Sequence, residues 1–187
     1  MPRQPRIEVA GATYHVISRG NRRQPIYLDL LDRRRYMSVL ADVFARHKWR
    51  CLAYCLMTNH VHLLVETPQT DLGRGMHRLN SVYAQWFNWR WDLDGHLFQG
   101  RFRSEIIESE WHMLEATRYV VLNPVRAGLC RVAEQWPWSS YGAMAGRVHP
   151  PEFLAVGDLL AYFGRTRGAA VSAYEAFVRE GQHRSVV

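Results

Sequence analysis

A chain of 187 residues, 48% of them hydrophobic and 22% charged, has the size and composition of one globular domain with a full core. It lacks the apolar run of roughly 18 residues that a membrane span needs. It also lacks an apolar signal-peptide stretch behind the charges of residues 1–6, so a cytoplasmic, nucleoid-associated protein is expected. The formal charge is +7, carried by a basic set in which only Lys48 is lysine, a balance that favours nucleic acid as partner although GC-rich coding gives the same arginine bias.

Residues 12–18 form a strand and end on the polar turn Arg19-Gly20-Asn21-Arg22-Arg23. From Asp29 to about Lys48 the apolar positions Tyr36, Val39, Leu40, Val43 and Phe44 keep helical spacing, with Arg33, Arg34 and Arg35 near the start. Two strands follow, 50–57 and 60–66, joined by the two-residue turn Thr58-Asn59. Thr70 or Asp71 caps a long helix to about Trp91, with Leu72, Met76, Leu79, Val82, Tyr83, Trp86 and Phe87 on its inner side. After a loop, residues 103–108 form a fourth strand. Ser109 then caps a helix expected to end near Asn123, because Pro124 follows. Residues 125–148 read as irregular, and two short helices, about 152–163 and 169–180, close the chain.

This order of elements predicts an α+β, ferredoxin-like split βαβ fold: an antiparallel sheet with helices on one face, plus C-terminal helices. Residues 1–148 are expected to form the main domain and residues 149–187 a helical extension. Cys51, Cys55 and Cys130 lack zinc-ligand spacing, and Cys51 and Cys55 are expected to pack as small hydrophobes in a reduced protein.

The chemistry is concentrated in two segments. In the strand His60-Val61-His62-Leu63-Leu64-Val65-Glu66 the alternation of side chains puts His60 and His62 on one side, where two imidazoles can share a metal ion. Two hydrogen-bonded histidines at a strand end would look the same. The helix after Ser109 carries a polar stripe of His112, Glu115, Tyr119 and Asn123 on an otherwise apolar body. That stripe is either a solvated face or the partner of the histidines. In the second case Tyr119 supplies a nucleophile and Asn123, one turn later, an oxygen ligand beside His60 and His62. A phenol, with a pKa of about 10, needs a metal or a base to attack at neutral pH. Two imidazoles and an amide suit Mn²⁺ or another transition ion more than Mg²⁺, which remains possible with waters retained.

At these residues the sequence resembles the REP-associated tyrosine transposases, within the single-tyrosine His-hydrophobic-His endonucleases. The resemblance covers roughly residues 8–146. It is carried by Tyr14-His15-Val16-Ile17-Ser18-Arg19-Gly20-Asn21, Met57-Thr58-Asn59-His60-Val61-His62-Leu63-Leu64 and Phe98-Gln99-Gly100-Arg101-Phe102. Further along come Arg118-Tyr119-Val120-Val121-Leu122-Asn123-Pro124-Val125-Arg126-Ala127-Gly128-Leu129 and Trp138-Ser139-Ser140-Tyr141. It implies a ferredoxin-like transposase domain, metal ligands at His60 and His62, and Tyr119 as nucleophile, with Asn123 matching a third, amide ligand. The implied substrates are palindromic repeats that fold as single-stranded DNA hairpins. Cleavage would leave a 5′-phosphotyrosine on the enzyme and a free 3′-hydroxyl. The expected cofactor is a divalent ion, Mg²⁺ or Mn²⁺, and the expected state a monomer, with a dimer as the alternative.

For DNA contacts the residues themselves offer Arg19, Arg22, Arg23, Arg101 and Arg103, with Arg33, Arg34 and Arg35 either joining them or forming a solvated helix face. His96, Phe98 and Phe102 could stack on unpaired bases, though Phe98 and Phe102 suit the core equally. Trp86, Trp89, Trp91, Trp136 and Trp138 read as core or interface residues rather than base platforms. Two other readings stand beside the strand transferase: a non-catalytic DNA- or RNA-binding module of the same fold, and a metal-dependent hydrolase that activates water.

Overall fold

The structure, a computed structural model, describes residues 8–183, so the N-terminal residues 1–6 read above lie outside it. Its strands are β1 (Thr13–Arg19), β2 (Arg50–Leu56), β3 (His60–Glu66) and β4 (Arg103–Ile106). Its helices are α1 (Leu30–His47), α2 (Leu72–Trp91), α3 (Glu110–Arg126), α4 (Tyr141–Met144), α5 (Val156–Leu160) and α6 (Arg167–His183). The sheet order is β2-β3-β1-β4 and every neighbouring pair is antiparallel. Thus β1 and β2, joined through α1, run parallel with β3 between them. Likewise β3 and β4, joined through α2, run parallel with β1 between. These are the two split βαβ units that the order of elements predicts.

Alternation along the strands makes two unlike faces. One carries Tyr14, Val16 and Ser18 of β1 and Val61, Leu63 and Val65 of β3, all buried. Over it lie α1, with Tyr36, Val39, Leu40, Val43 and Phe44 inward, and α2, with Leu72, Met76, Leu79, Tyr83 and Phe87 inward. Burying each such side chain contributes roughly 1.5–3 kcal/mol. The other face carries His15 and Ile17 of β1, Cys55 of β2, and His60, His62 and Leu64 of β3; α3 packs across it against β2 and β3. Helices therefore lie on both faces. The two crossover helices share one side as expected. The third covers the other, because its buried Met113, Thr117, Val120 and Val121 need an apolar seat.

The ends of α1 and α2 are tied together. Asp29 and Asp32 form a capping box at the start of α1. Asp32 is fully buried and also accepts from the Arg90 guanidinium and the Trp91 indole at the end of α2. At the opposite ends, Asp71 holds the cap position of α2, but its side chain caps nothing. It accepts instead from His47 Nδ1 at 2.6 Å and Trp49 Nε1 at 2.8 Å.

Pro124 does not end α3, which runs on to Arg126. Proline removes one backbone donor and disfavours the helix before it. Here the carbonyls of Asn123 and Pro124 still accept from Ala127 and Leu129, both at 2.9 Å, and burial of Val121, Leu122 and Pro124 holds the turn. Beyond residue 148 the chain joins the same core. Leu154 bridges Cys51, and Leu159, Leu160, Tyr174 and Val178 are buried with the sheet residues. α6 packs on α3, where buried Arg118 pairs with Glu115 and lies 4.3 Å from the Phe177 ring centroid. A side chain at Gly181 would sit 2.6 Å from Arg118 Cδ. Cys51 and Cys55 are buried free thiols and Cys130 a partly buried one. Among the described residues no helix is long and apolar enough to cross a membrane.

Candidate active site

The β1–β3 register places Arg19 opposite His60, Ile17 opposite His62 and His15 opposite Leu64, so three histidines share the face under α3. His62 is 2% exposed. Its Nδ1 lies 2.9 Å from His15 Nε2, and the two rings stack with centroids 5.1 Å apart. The His60 and His62 rings meet edge-on at 4.9 Å. His60 Nδ1 is 2.7 Å from Asn59 Oδ1, so that nitrogen donates and Nε2 keeps its lone pair.

His62 Nε2 is buried with no hydrogen-bond partner. An orphaned buried atom of this kind costs about 1–3 kcal/mol unless something completes it. Burial, helped by Arg19, lowers the His60 pKa to about 4. Burial, then the neighbouring His60, His15 and Arg19, lowers that of His62 to about 2. Both rings are therefore neutral at neutral pH, the form that ligates a cation. Two neutral imidazoles, each held from behind by a hydrogen bond and one bearing an orphaned nitrogen, fit a divalent ion. Among the described residues no cluster of three or more His, Cys, Asp or Glu has metal-binding geometry, so other ligands to such an ion would be amide, phenol, water or phosphate oxygens.

α3 brings Tyr119 to His62 and His15. Its ring meets those of His62 and His15 edge-on, each at 5.8 Å, while remaining 40% exposed. The Arg126 guanidinium lies 5.0 Å from the Tyr119 ring centroid. Of the remaining stripe, Asn123 donates from Nδ2 to the Tyr119 carbonyl at 2.8 Å, and Glu115 pairs with Arg118. His112 turns back toward the Glu108 amide at 3.5 Å.

Arg19, Arg101 and Arg103 come together with Ile17, Gln99 and Gly100 around a cleft of about 170 Å³ that begins beside His60. Arg22 and Arg23 stand apart from it, exposed on the turn after β1 in left-handed conformations (φ 51° and 61°). That turn is fastened to the β2–β3 hairpin by Gly20 N–H to Asn59 O at 2.8 Å and by Asn59 Nδ2 to Arg23 O, also at 2.8 Å. Arg33 is neither on a solvated face nor in the cleft. Its guanidinium lies 4.8 Å from the Tyr27 ring, is flanked by Trp136 and Trp138, and donates to Leu56 O at 2.8 Å. Arg35 packs over Trp86, and only Arg34 of the three is exposed. Phe98 and Phe102 are core residues, whereas His96 is exposed. Trp89 is 79% exposed and so is not one of the core tryptophans.

His15 is the participant that sequence reasoning passed over. It stands in one of the segments that carry the resemblance and shares parity with Arg19 along β1, but neither points to the histidine pair until β1 is paired with β3 in the observed register.

The sequence model of the family described as "Transposase IS200 like" matches residues 8–123. A protein of Haemophilus influenzae, provisionally described as a REP-associated tyrosine transposase, is 22% identical over 118 residues. That alignment takes in 57% of this chain and 66% of the relative, so the chain spans just under two thirds of its relative's length. A solved structure described as a REP-associated tyrosine transposase bound to a REP hairpin aligns with a TM-score of 0.67 at 20% identity, over 83% of this chain and 92% of that one. At that identity the likeness is one of fold.

Proposed function

Because this chain belongs to the IS200-like transposase family, we propose that it is a strand transferase and endonuclease that cuts single-stranded DNA at palindromic hairpins through a covalent link to Tyr119. The observation that carries this reading is the edge contact of the Tyr119 ring with His62 within one chain. It joins a phenol to a pair of neutral imidazoles, one with an orphaned nitrogen, a set that a DNA-binding module does not need. Within this one chain the phenol and the imidazoles already meet, which supports a monomer as the working unit.

Arg19, Arg101 and Arg103 hold backbone phosphates in the cleft, and Arg22 and Arg23 extend the positive surface along the adjoining turn. The Tyr119 oxygen attacks the scissile phosphorus. A Tyr119 Oη–P bond forms as the P–O3′ bond breaks, the phenol proton is lost, and the departing 3′-oxygen gains one. The products are a 5′-phosphotyrosine and a free 3′-hydroxyl, so one phosphodiester replaces another and no nucleotide cofactor is consumed. His60 and His62 would hold a divalent ion, and Asn123 would offer its Oδ1 as a further ligand. When bound, such an ion, Mn²⁺ in preference to Mg²⁺, polarises the phosphate and offsets its developing charge. His15 and Asn59 fix the tautomers of the two ligating rings. The fold it shares with a hairpin-bound transposase supports hairpin DNA as substrate here.

The test incubates the protein with labelled hairpin oligonucleotides bearing single-stranded flanks, with Mn²⁺, with Mg²⁺ and with chelator, and resolves products on denaturing gels. A metal-dependent protein–DNA adduct is expected, absent in Tyr119→Phe, which still binds the hairpin. An adduct that persists in Tyr119→Phe removes the assigned nucleophile. Cutting without any adduct supports water as nucleophile instead, and no cutting at all leaves a binding module.

A further inference from the structure

On the opposite face of the sheet from the histidines, α2 and the loop of residues 95–102 enclose a groove of about 630 Å³. That is within the size range of small-ligand sites. Met76, Ala84, Phe98 and Phe102 line it with apolar surface. Asn80 supplies a polar group that the fold leaves incomplete. Its Nδ2 bonds Ser18 Oγ at 2.9 Å, and its Oδ1 is buried with no partner. Turning the amide round only exchanges the two ends, so one polar atom at this wall has no partner in either orientation. The acidic residue on the lining, Glu8, is already bonded to the Gly73 N–H at 2.8 Å.

The groove adjoins the arginine cleft. Gln99, Gly100 and Arg101 line both, so a thin stretch of backbone separates them. A strand whose phosphates lie on Arg19, Arg101 and Arg103 therefore passes over this stretch, with a base free to swing to its far side. We propose that the groove receives one unpaired nucleobase of the bound strand, read through Asn80. This rests on single-stranded DNA being the ligand of the cleft, and it names a specificity-determining site for that ligand. A nucleobase matches the lining: its flat apolar faces suit Ala84, Leu97, Phe98 and Phe102, and its edge brings the polar group that Asn80 lacks. With Oδ1 as the vacant end, a base with an exocyclic amine is favoured.

Binding is measured with the Tyr119→Phe protein and chelator, so that no strand is cut, by fluorescence anisotropy of a hairpin oligonucleotide. Each base of its single-stranded flank is replaced in turn by an abasic residue. One position is expected to weaken binding about tenfold when its base is lost. At that position Asn80→Ala and Ser81→Leu, each added to Tyr119→Phe, remove the difference between intact and abasic strands. Ser81 also lines the groove. Its replacement fills the space while sparing the Asn80–Ser18 bond, and circular dichroism verifies the fold of each variant. A sensitive position that stays sensitive in both folded variants, or a strand that binds with no sensitive position, overturns the base site and leaves the cleft reading standing. Failure of the folded Tyr119→Phe protein to bind any of the oligonucleotides overturns the DNA reading itself, and the base site with it.

Discussion

Under α1 and α2 the protein packs Tyr27, Tyr36 and Tyr83, whereas under α3 it presents Tyr119. The first three form a mutual aromatic cluster, and burial pushes all three phenols above their ordinary range. The Tyr27 and Tyr36 hydroxyls have no hydrogen-bond partner, while Tyr83 donates to Ile26 O at 2.5 Å. Tyr119 instead keeps 40% of its surface in solvent and rests on imidazoles. Residue type is the same on both sides. What makes one phenol a candidate nucleophile is access for a phosphate and neighbours able to organise charge. The three buried phenols lack that access.

The contrast is broken most severely at the imidazoles. His62→Ala is expected to abolish measurable Mn²⁺ binding in calorimetry together with DNA adduct formation, and retained Mn²⁺ affinity would dissociate the histidine pair from the metal. Next comes the ring behind it. His15→Phe should weaken Mn²⁺ binding 10–100-fold while leaving adduct formation recoverable at saturating metal. Equal metal affinity in that variant would make the His15–His62 contact incidental.

On the dry face the effects are smaller and fall on stability alone. Tyr83→Phe loses a buried hydrogen bond and should cost about 1 kcal/mol in urea unfolding, with adduct yield unchanged. Tyr36→Phe should be neutral or slightly stabilising, because its hydroxyl is buried unpaired. Equal losses in the two variants would contradict the difference between those hydroxyls.

The smallest effect concerns acid. Burial raises the Asp71 pKa, but the hydrogen bonds from His47 and Trp49 outweigh it and leave the carboxyl below its ordinary value. The folded state therefore binds this proton less readily than the unfolded chain. The contribution of Asp71 is complete above pH about 4 and fades as the pH falls below that. Asp71→Asn should flatten this part of the dependence of the urea midpoint on pH, and an unchanged slope would rule out the carboxyl as its source.

Much of the fold could be read from local rules. Ser109 caps α3 where the sequence placed the cap, α1 lies between Asp29 and Lys48 as its spacing predicts, and Thr58-Asn59 forms the turn before His60. These features depend on neighbours a few residues away. Strand alternation puts His60 and His62 on one side and helical spacing puts Tyr119 on a polar stripe, but the meeting of the two depends on how α3 packs. What escaped depends on tertiary contacts. Pro124 stays within α3 because packing outweighs one missing donor, and Arg33 is enclosed by rings from Tyr27, Trp136 and Trp138, far apart in sequence. The placing of α3 on the second face, and with it the role of His15, likewise depends on the assembled sheet.

Arg118 precedes Tyr119 on α3 and is wedged between Phe177 and Gly181 of α6, near the end of the described chain. A swing of Tyr119 toward another molecule would have to drag that last helix along or tear the guanidinium from its aromatic seat. The tail thus tethers the candidate nucleophile to its own subunit, and shortening the tail is a direct way to lengthen its reach.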